Sequence, residues 1–216
     1  MPLLKAQSVL LALTMIVGLM LPATQSRADT AVLAGGCFWC VESDFEQIKG
    51  VSEVVSGFTG GKTKNPTYKQ VSAGGTGHYE AVEITYDPAT VSYAQLLHLF
   101  LRSIDPTDPG GQFCDRGDSY RTAIFVSNNA EKAIAEKAIA DAQGELGRKV
   151  VTKILPTSKF TKADAYHQNY YKQTGIVITR RGPKSKKEAY KFYRQACGRD
   201  AKVRSLWGSD APFVGH

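Results

Sequence analysis

The sequence predicts an α+β fold with a ferredoxin-like split βαβ core (an α/β roll) and a long, irregular C-terminal region. The first observation behind this prediction is the order of patterns along the chain, because strand-like and helix-like apolar patterns follow one another as β-α-β-β-α-β-α. The second is that no Pro/Ser-rich linker divides residues 29–216. We therefore expect residues 29–216 to form a single domain.

The first half of the chain predicts three strands and one helix. An apolar run over residues 30–34 predicts a strand, and a double glycine follows it. Apolar residues then recur at helical spacing over residues 37–50, where a glycine provides a stop. Residues 51–58 are typical of a strand, and residues 80–86 alternate as a half-buried strand does. These elements supply the first part of the split βαβ unit.

The second half predicts the remaining core and the C-terminal region. Ser92 is a typical helix cap, and the apolar residues after it recur at helical spacing. In chain order we predict a helix over 92–104, a loop over 105–119, a strand over 122–127, a helix from 128 or 129, a strand over 150–155, and helices over 162–173 and 186–196.

The N-terminal pattern predicts where the protein works. Residues 1–5 carry one positive charge, residues 8–21 form an apolar run, and Ser26-Arg27-Ala28 has the small-x-small form of a cleavage site. This pattern is typical of a secretory signal peptide over residues 1–28. The apolar run is short for a membrane span, so no stable membrane insertion is expected after cleavage. We expect a secreted protein, in the bacterial periplasm.

The formal net charge of +7 is concentrated in one basic cluster between Arg180 and Arg194. A basic run can bind phosphate groups, but a secreted destination does not favour nucleic acid as a partner. We interpret the cluster as a solvated helix face.

Cys37 is the strongest candidate for a reactive group. It falls at the first turn of the first predicted helix, where unpaired N–H groups and the helix dipole favour a thiolate. Phe38 and Trp39 are bulky aromatic neighbours that could wall a small apolar pocket. Cys37 and Cys40 form a Cys-x-x-Cys pair, which is often redox-active. With four cysteines in an oxidising compartment, two structural disulfides are the alternative.

Glu80 is a candidate general acid. In a strand with a two-residue period it shares a face with apolar residues, so its carboxyl should be desolvated and protonated near neutral pH. The alternative is a first strand residue whose side chain turns to solvent. The pattern alone does not decide between the two.

Taken together, six motifs in order resemble the A-type peptide methionine sulfoxide reductases over nearly all of residues 29–216. The motifs are Gly36-Cys37-Phe38-Trp39 followed by Glu42, Asn65-Pro66-Thr67-Tyr68, Gly77-His78-Tyr79-Glu80 with Tyr86-Asp87-Pro88, Asp105-Pro106-Thr107, Asp115-Arg116-Gly117-Asp118-Ser119-Tyr120-Arg121, and Tyr166-His167-Gln168.

The resemblance implies a reaction and a role for each matching residue. The expected substrate is the S epimer of methionine sulfoxide, free or within oxidised proteins. The resemblance implies that the enzyme needs no metal and no bound cofactor, and that it uses an external reductant of the thioredoxin type. We expect a monomer. The implied roles are Cys37 as nucleophile, Phe38 and Trp39 as the pocket for the S-methyl group, Glu80 as proton donor, Tyr68 and Tyr120 as hydrogen-bond donors to the sulfoxide oxygen, and Asp115 as an acidic residue at the rim.

The sequence offers more than one candidate for the resolving thiol. One of them, Cys40, stands at a position where the family commonly has glycine. Cys197 resembles the family's recycling cysteine, and Cys114 is a third candidate. Residues three apart on a helix have Cβ atoms about 5–6 Å apart, whereas a disulfide prefers about 3.8 Å. We therefore predict that Cys197, near a glycine-containing tail, resolves first. Cys40 would accept the disulfide in a second exchange, or simply occupy the glycine position.

Two rival functions remain open at this point. A secreted thiol–disulfide oxidoreductase could use Cys37 and Cys40, but the chain lacks a thioredoxin-like layout around the pair. That rival also leaves Glu80 and the two tyrosines unexplained. A binding domain with two structural disulfides is the third reading.

Overall fold

The computed structural model describes residues 28–215. The predicted signal peptide lies outside the described residues, apart from its last residue, Ala28. Within the described range, no helix combines the length and the apolar character needed to cross a membrane.

The elements of the described residues alternate along most of the chain. The strands are β1 Asp29–Gly35, β2 Val51–Thr59, β3 Tyr79–Tyr86, β4 Gly111–Gln112, β5 Asp115–Arg116, β6 Thr122–Val126, β7 Lys153–Pro156, β8 Thr161–Lys162, β9 Ile176–Thr179 and β10 Gly182–Ser185. The helices are α1 Phe38–Phe45, α2 Tyr68–Ser72, α3 Tyr93–Ser103, α4 Asn129–Leu146, α5 Lys186–Ala196 and α6 Arg199–Trp207.

The central sheet has the strand order β7-β6-β1-β3-β2-β8. The β6–β7 pair is parallel, and the other neighbouring strands are antiparallel. The units β1-α1-β2 and β3-α3-β6 each cross over a neighbouring strand, so β1 and β3 lie side by side at the centre. This arrangement confirms the predicted ferredoxin-like split βαβ core.

The core lies between this sheet and helices α1, α3 and α4. Leu33 of β1, Phe45 of α1 and Phe100 of α3 are fully buried in one cluster with Ile84 of β3. Ser92 caps α3 as predicted, because its side chain accepts from the backbone N–H of Gln95 in a capping box. The apolar faces of these elements therefore hold β1, α1 and β3, which carry the candidate site, in fixed positions.

The predicted helix over 162–173 is wrong. This segment contains β8, turns and a 3-10 turn at Tyr170–Lys172. Asn169 has a left-handed backbone with φ of 53°, which interrupts a helix. The segment is instead held to strand β2 by the Gln168 side chain. This side chain accepts a hydrogen bond from Ser56 N at 3.0 Å and donates one to Ser56 O at 2.8 Å.

The C-terminal region is more regular than predicted. After Cys197, Gly198 adopts a left-handed backbone and α6 follows at once. Val203 and Trp207 bury this helix against the main core. Helix α5 is observed where predicted, but Lys186 and Arg194 of the basic cluster are buried, so the solvated-face interpretation is wrong for these two residues.

Candidate active site

Cys37 lies at the junction between β1 and α1. Gly36 has φ of +81°, and a Cβ there would lie 2.5 Å from Gln112 Cβ, so the turn requires glycine. Cys37 is the N-cap of α1, and its carbonyl accepts from Cys40 N at 3.1 Å. The predicted placement at a helix start is confirmed.

Glu80 lies beside Cys37 and is only 1% exposed. The Phe38 N–H, next in the chain to Cys37, donates to Glu80 Oε2 at 3.1 Å. Its other oxygen, Oε1, is buried without a hydrogen-bond partner among the described residues. Burial raises the pKa of Glu80 to about 8, and the nearby Asp115 adds to the rise. Of the two alternatives that the sequence left open, the buried carboxyl is the one observed.

Two tyrosines and one aspartate complete the acidic side of Cys37. Tyr68 begins α2, and its hydroxyl shares a hydrogen bond with that of Tyr120. Burial raises the pKa of both phenols, so they remain neutral hydrogen-bond donors. Burial also raises the pKa of Asp115. The structure thus brings together Cys37, Glu80 and the three residues that the resemblance indicated.

An aromatic wall adjoins this group. Trp39 stacks on Tyr170 with ring centroids 3.8 Å apart, and His167 stacks on Tyr68 at 4.2 Å. Trp39 also faces a cavity of about 400 Å³, whereas Phe38 is buried in the core behind it. The two predicted pocket residues therefore differ, since Trp39 reaches the cavity and Phe38 supports it.

All four cysteines of the described residues line this cavity. It is lined by Cys37, Cys40, Cys114 and Cys197, together with Asp115 and two arginines of the C-terminal helices. Cys37 and Cys40 are free thiols, whereas Cys114 and Cys197 form a disulfide.

The surroundings of Cys37 oppose the thiolate that the helix start favours. A hydrogen bond to the Cys40 sulfur, burial and the charges of Glu80 and Asp115 raise the pKa of Cys37 well above its usual range. The same hydrogen bond, with the fields of Arg199 and Arg194, lowers the pKa of Cys40 to about 7. The directions of both shifts favour a proton on Cys37 rather than on Cys40 in this state.

Buried charges surround Cys40. Asp44 follows it by one helical turn and accepts from Arg194 Nη1 at 2.8 Å. Arg199 lies 3.7 Å from the other oxygen of Asp44, and its Nη2 donates to Ser103 O at 2.9 Å. Arg194 also donates to the Tyr190 hydroxyl at 3.0 Å, and Tyr190 packs against Cys40. Two buried guanidinium groups thus face one buried carboxylate beside the Cys40 sulfur.

The disulfide between Cys114 and Cys197 bears on the predicted order of the resolving thiols. The sulfur of Cys197 is bonded to Cys114, and Cys197 sits at the rigid α5–α6 junction rather than before a swinging tail. Resolution by Cys197 first would need this disulfide to be reduced beforehand. That order stays a prediction for the fully reduced enzyme.

Several residues of the site had no assigned role in the sequence analysis. Glu42 is fully buried and accepts from Asn169 N at 2.9 Å, which fixes the segment that carries His167 and Tyr170. Burial raises the pKa of Glu42 to about 7. The burial of Arg194 was also missed. The spacing of α5 could have indicated it, because Lys186, Tyr190 and Arg194 recur every four residues and share one buried face.

Within residues 28–215, no group of three or more His, Cys, Asp or Glu side chains could hold a metal ion. The chemistry available is that of a free thiol pair, a protonated carboxyl and neutral phenols in one buried site. These features define a thiol-dependent oxidoreductase.

Comparisons with known proteins identify the family. A sequence model described as peptide methionine sulfoxide reductase matches residues 29–202. The chain is 46% identical to peptide methionine sulfoxide reductase MsrA 2 of Caulobacter vibrioides, over 89% of this chain and 93% of that protein. It is 45% identical to peptide methionine sulfoxide reductase MsrA of Listeria welshimeri, over 85% and 98% of the two chains. The chain belongs to the peptide methionine sulfoxide reductase family.

Solved structures agree with this assignment. Methionine sulfoxide reductase A of Corynebacterium diphtheriae is similar with a TM-score of 0.61 and 31% identity, covering 68% of this chain and 75% of that one. Mxr1 of Saccharomyces cerevisiae in reduced form gives a TM-score of 0.64 and 28% identity, covering 68% and 85%. The expected enzyme class, a thiol-dependent reductase of methionine sulfoxide, is confirmed.

Proposed function

We propose that the enzyme reduces the S epimer of methionine sulfoxide, free or in proteins, with Cys37 as nucleophile and Glu80 as proton donor. The observation that carries this proposal is the position of Glu80. One carboxyl oxygen is held by the Phe38 N–H, and the other is buried and unpartnered beside Cys37. A protonated carboxyl in that position can donate to a sulfoxide oxygen.

The first step transfers oxygen from substrate to enzyme. Cys37 passes its proton to the Cys40 thiolate and attacks the sulfoxide sulfur. Glu80 protonates the sulfoxide oxygen while Tyr68 and Tyr120 hydrogen-bond to it, because an unprotonated oxygen is a poor leaving group. The S–O bond of the substrate and the transient bond between the two sulfurs then break as the hydroxyl passes to the Cys37 sulfur, leaving Cys37 as a sulfenic acid and Glu80 as a carboxylate. Methionine leaves, reduced by two electrons.

The second step forms a disulfide. In the oxidation state of the structure, we assign Cys40 as the thiol that attacks Cys37, because it already shares a hydrogen bond with the Cys37 sulfur. The S–O bond of the sulfenic acid breaks, and the hydroxide takes the proton held by Cys40 and leaves as water. The first turn of α1 must tighten for the two sulfurs to bond.

Recycling requires a dithiol from outside the chain. A reductant of the thioredoxin type would attack the disulfide through a mixed disulfide and supply two electrons. The cavity gives such a thiol access to both cysteine pairs, since all four cysteines line it. Asp115 at the same cavity would contribute negative charge at its rim.

We place the mature protein in the bacterial periplasm, as a monomeric domain of residues 29–216. The N-terminal signal pattern supports this location. The Cys114–Cys197 disulfide supports it too, because such bonds persist in oxidising compartments. Mass measurement of the mature N-terminus in fractionated cells tests the location, and an intact residue 1–28 segment would contradict it.

The test of function uses both epimers and a rival substrate. With dithiothreitol, the enzyme should consume methionine-S-sulfoxide and leave the R epimer untouched. Cys37→Ser should abolish this activity, because a neutral hydroxyl lacks the nucleophilicity and the redox step of a thiol. Insulin disulfide reduction without sulfoxide reduction would instead establish the thiol–disulfide oxidoreductase.

A further inference from the structure

The exposed large apolar side chains of the described residues concentrate in one place. Tyr166 is 49% exposed, Ile176 69%, Ile178 80% and Tyr193 40%. We name these four residues the rim patch. Tyr166, Ile178 and Tyr193 line the cavity that contains Cys37, and Ile176 lies two residues before Ile178 on β9. An apolar patch of this kind on a protein surface marks an interaction site.

The rim patch is continuous with the aromatic wall of the active site. Tyr166 contacts Tyr170 with ring centroids 5.9 Å apart, and Tyr170 stacks on Trp39. A methionine sulfoxide side chain that enters along Trp39 therefore leaves its backbone next to Tyr166. The residues that flank it in a polypeptide then pass over the patch, whereas a free amino acid has no such flanks.

The geometry of β9 suits an extended chain. Ile176 and Ile178 project from the same face of the strand, roughly 7 Å apart by the usual rise per residue. Their neighbour Val177 is half-buried and, like Ile178, lines the cavity. Alternate side chains of an extended peptide have the same spacing, so two apolar residues of a substrate can meet the two isoleucines.

Basic residues are frequent in the sequence around the patch. From Lys172 to Arg199 there are nine basic residues and one acidic residue, Glu188. Lys186, Arg194 and Arg199 are buried, which leaves six with exposed or half-buried side chains. Arg180 and Arg181, in the turn between β9 and β10, are exposed. This field favours a partner with acidic residues next to its apolar ones.

We infer that the rim patch and the β9–β10 turn bind the extended, apolar and acidic segments that flank methionine sulfoxide in an oxidised polypeptide. The inference rests on the proposed function and names its substrate class. An unfolded polypeptide exposes apolar residues that a folded protein would bury. A surface with an apolar centre and a basic edge recognises that chemistry directly beside the reacting sulfur.

The experiment measures kcat/KM for free methionine-S-sulfoxide and for two pentapeptides with a central methionine-S-sulfoxide, all with dithiothreitol. One peptide has leucine and glutamate flanks, and the other has leucine and lysine flanks. In Ile176→Ser/Ile178→Ser, the ratio of kcat/KM for the acidic peptide to that for the free amino acid should fall about tenfold, through lost apolar burial. Ile176→Val/Ile178→Val should restore the ratio.

Charge reversal separates the two parts of the surface. Arg180→Glu/Arg181→Glu should lower the ratio for the acidic peptide and raise it for the basic one, each by several-fold, and added salt should reduce both effects. Arg148→Glu/Lys149→Glu is the matched control, because it reverses two adjacent exposed charges elsewhere and should leave both ratios unchanged.

Three outcomes would overturn the inference. The first is an acidic-peptide ratio that neither surface variant lowers, and the second is an equal shift of the ratios in the control pair. A raised KM for a thioredoxin-type reductant with unchanged peptide ratios would assign the surface to the reductant instead. Failure of the wild-type enzyme to reduce free methionine-S-sulfoxide would contradict the proposed function itself, and so the two failures are distinguishable.

Discussion

On the Glu80 side of Cys37 the ionisable neighbours are carboxyls and phenols, whereas on the Cys40 side two buried arginines face a single buried aspartate. Glu80 and Cys40 are both buried, yet the pKa of Glu80 rises to about 8 and that of Cys40 falls to about 7. Burial disfavours the charged form in both cases. The hydrogen bond from Cys37 and the fields of Arg199 and Arg194 reverse the outcome at Cys40.

This difference shows how one small site can hold a proton donor and a thiolate at the same pH. Near neutral pH, the opposite directions of the two shifts favour a protonated Glu80 together with an ionised Cys40. Cys37 lies between the two groups. The backbone N–H of the next residue, Phe38, donates to Glu80, and the Cys37 thiol hydrogen-bonds to the Cys40 sulfur. The two sides therefore serve different steps of one cycle.

The largest expected effect comes from breaking the acid side. Glu80→Gln keeps the shape and one hydrogen-bond acceptor but removes the acid, so the first step should slow by roughly two to four orders of magnitude. Single-turnover formation of methionine, without reductant, measures that step. A rate within a few-fold of the wild type would show that the phenols or water supply the proton.

The second effect comes from breaking the thiolate side. Cys40→Ser should lower steady-state turnover with a thioredoxin-type reductant by at least about tenfold, because the sulfenic acid then lacks its nearest attacking thiol. Cys197→Ser is the matched control and should retain steady-state turnover when Cys114 is also changed to serine. If loss of Cys197 stops cycling and loss of Cys40 does not, the order predicted from the sequence holds instead.

The smallest effect sharpens the comparison by changing one charge. Arg199→Met preserves most of the volume and removes a guanidinium group that lowers the pKa of Cys40. The pKa should rise by about one unit, which slows alkylation of Cys40 about tenfold below the pKa. Alkylation rates against pH, in a Cys37→Ser background, measure it. Arg148→Met, which changes an exposed arginine elsewhere, is the control. An unchanged Cys40 pKa in Arg199→Met would show that Arg199 does not lower it.

The parts of the site that sequence reasoning predicted correctly depend on local patterns. Strand periodicity of two offered a buried face as one of two placements for Glu80, and glycines and apolar spacing placed Cys37 at a helix start. The split βαβ core follows from the same patterns over whole elements. Tyr68 and Tyr120 required the resemblance, since ten tyrosines share the same local chemistry.

The parts that sequence reasoning missed depend on contacts between distant segments. Arg194 meets Asp44 across 150 residues, and Cys197 meets Cys114 across 83. No periodicity encodes such pairs. The helix dipole favours a thiolate at Cys37, but it contributes only about 0.3–1 kcal/mol at typical sites. The hydrogen bond to Cys40, burial and two carboxyls act in the opposite direction and raise the pKa of Cys37.

The most direct test of the central claim is the pH dependence of the first step, measured as methionine formed in a single turnover by the wild type and by Glu80→Gln. The rate should rise as Cys40 loses its proton near pH 7, and fall as Glu80 loses its proton near pH 8. The fall occurs because a raised carboxyl pKa keeps the active, protonated form below that pH and loses it above. In Glu80→Gln the falling limb should disappear while the rising limb remains. A falling limb that persists in Glu80→Gln would contradict the assignment of Glu80 as the proton donor.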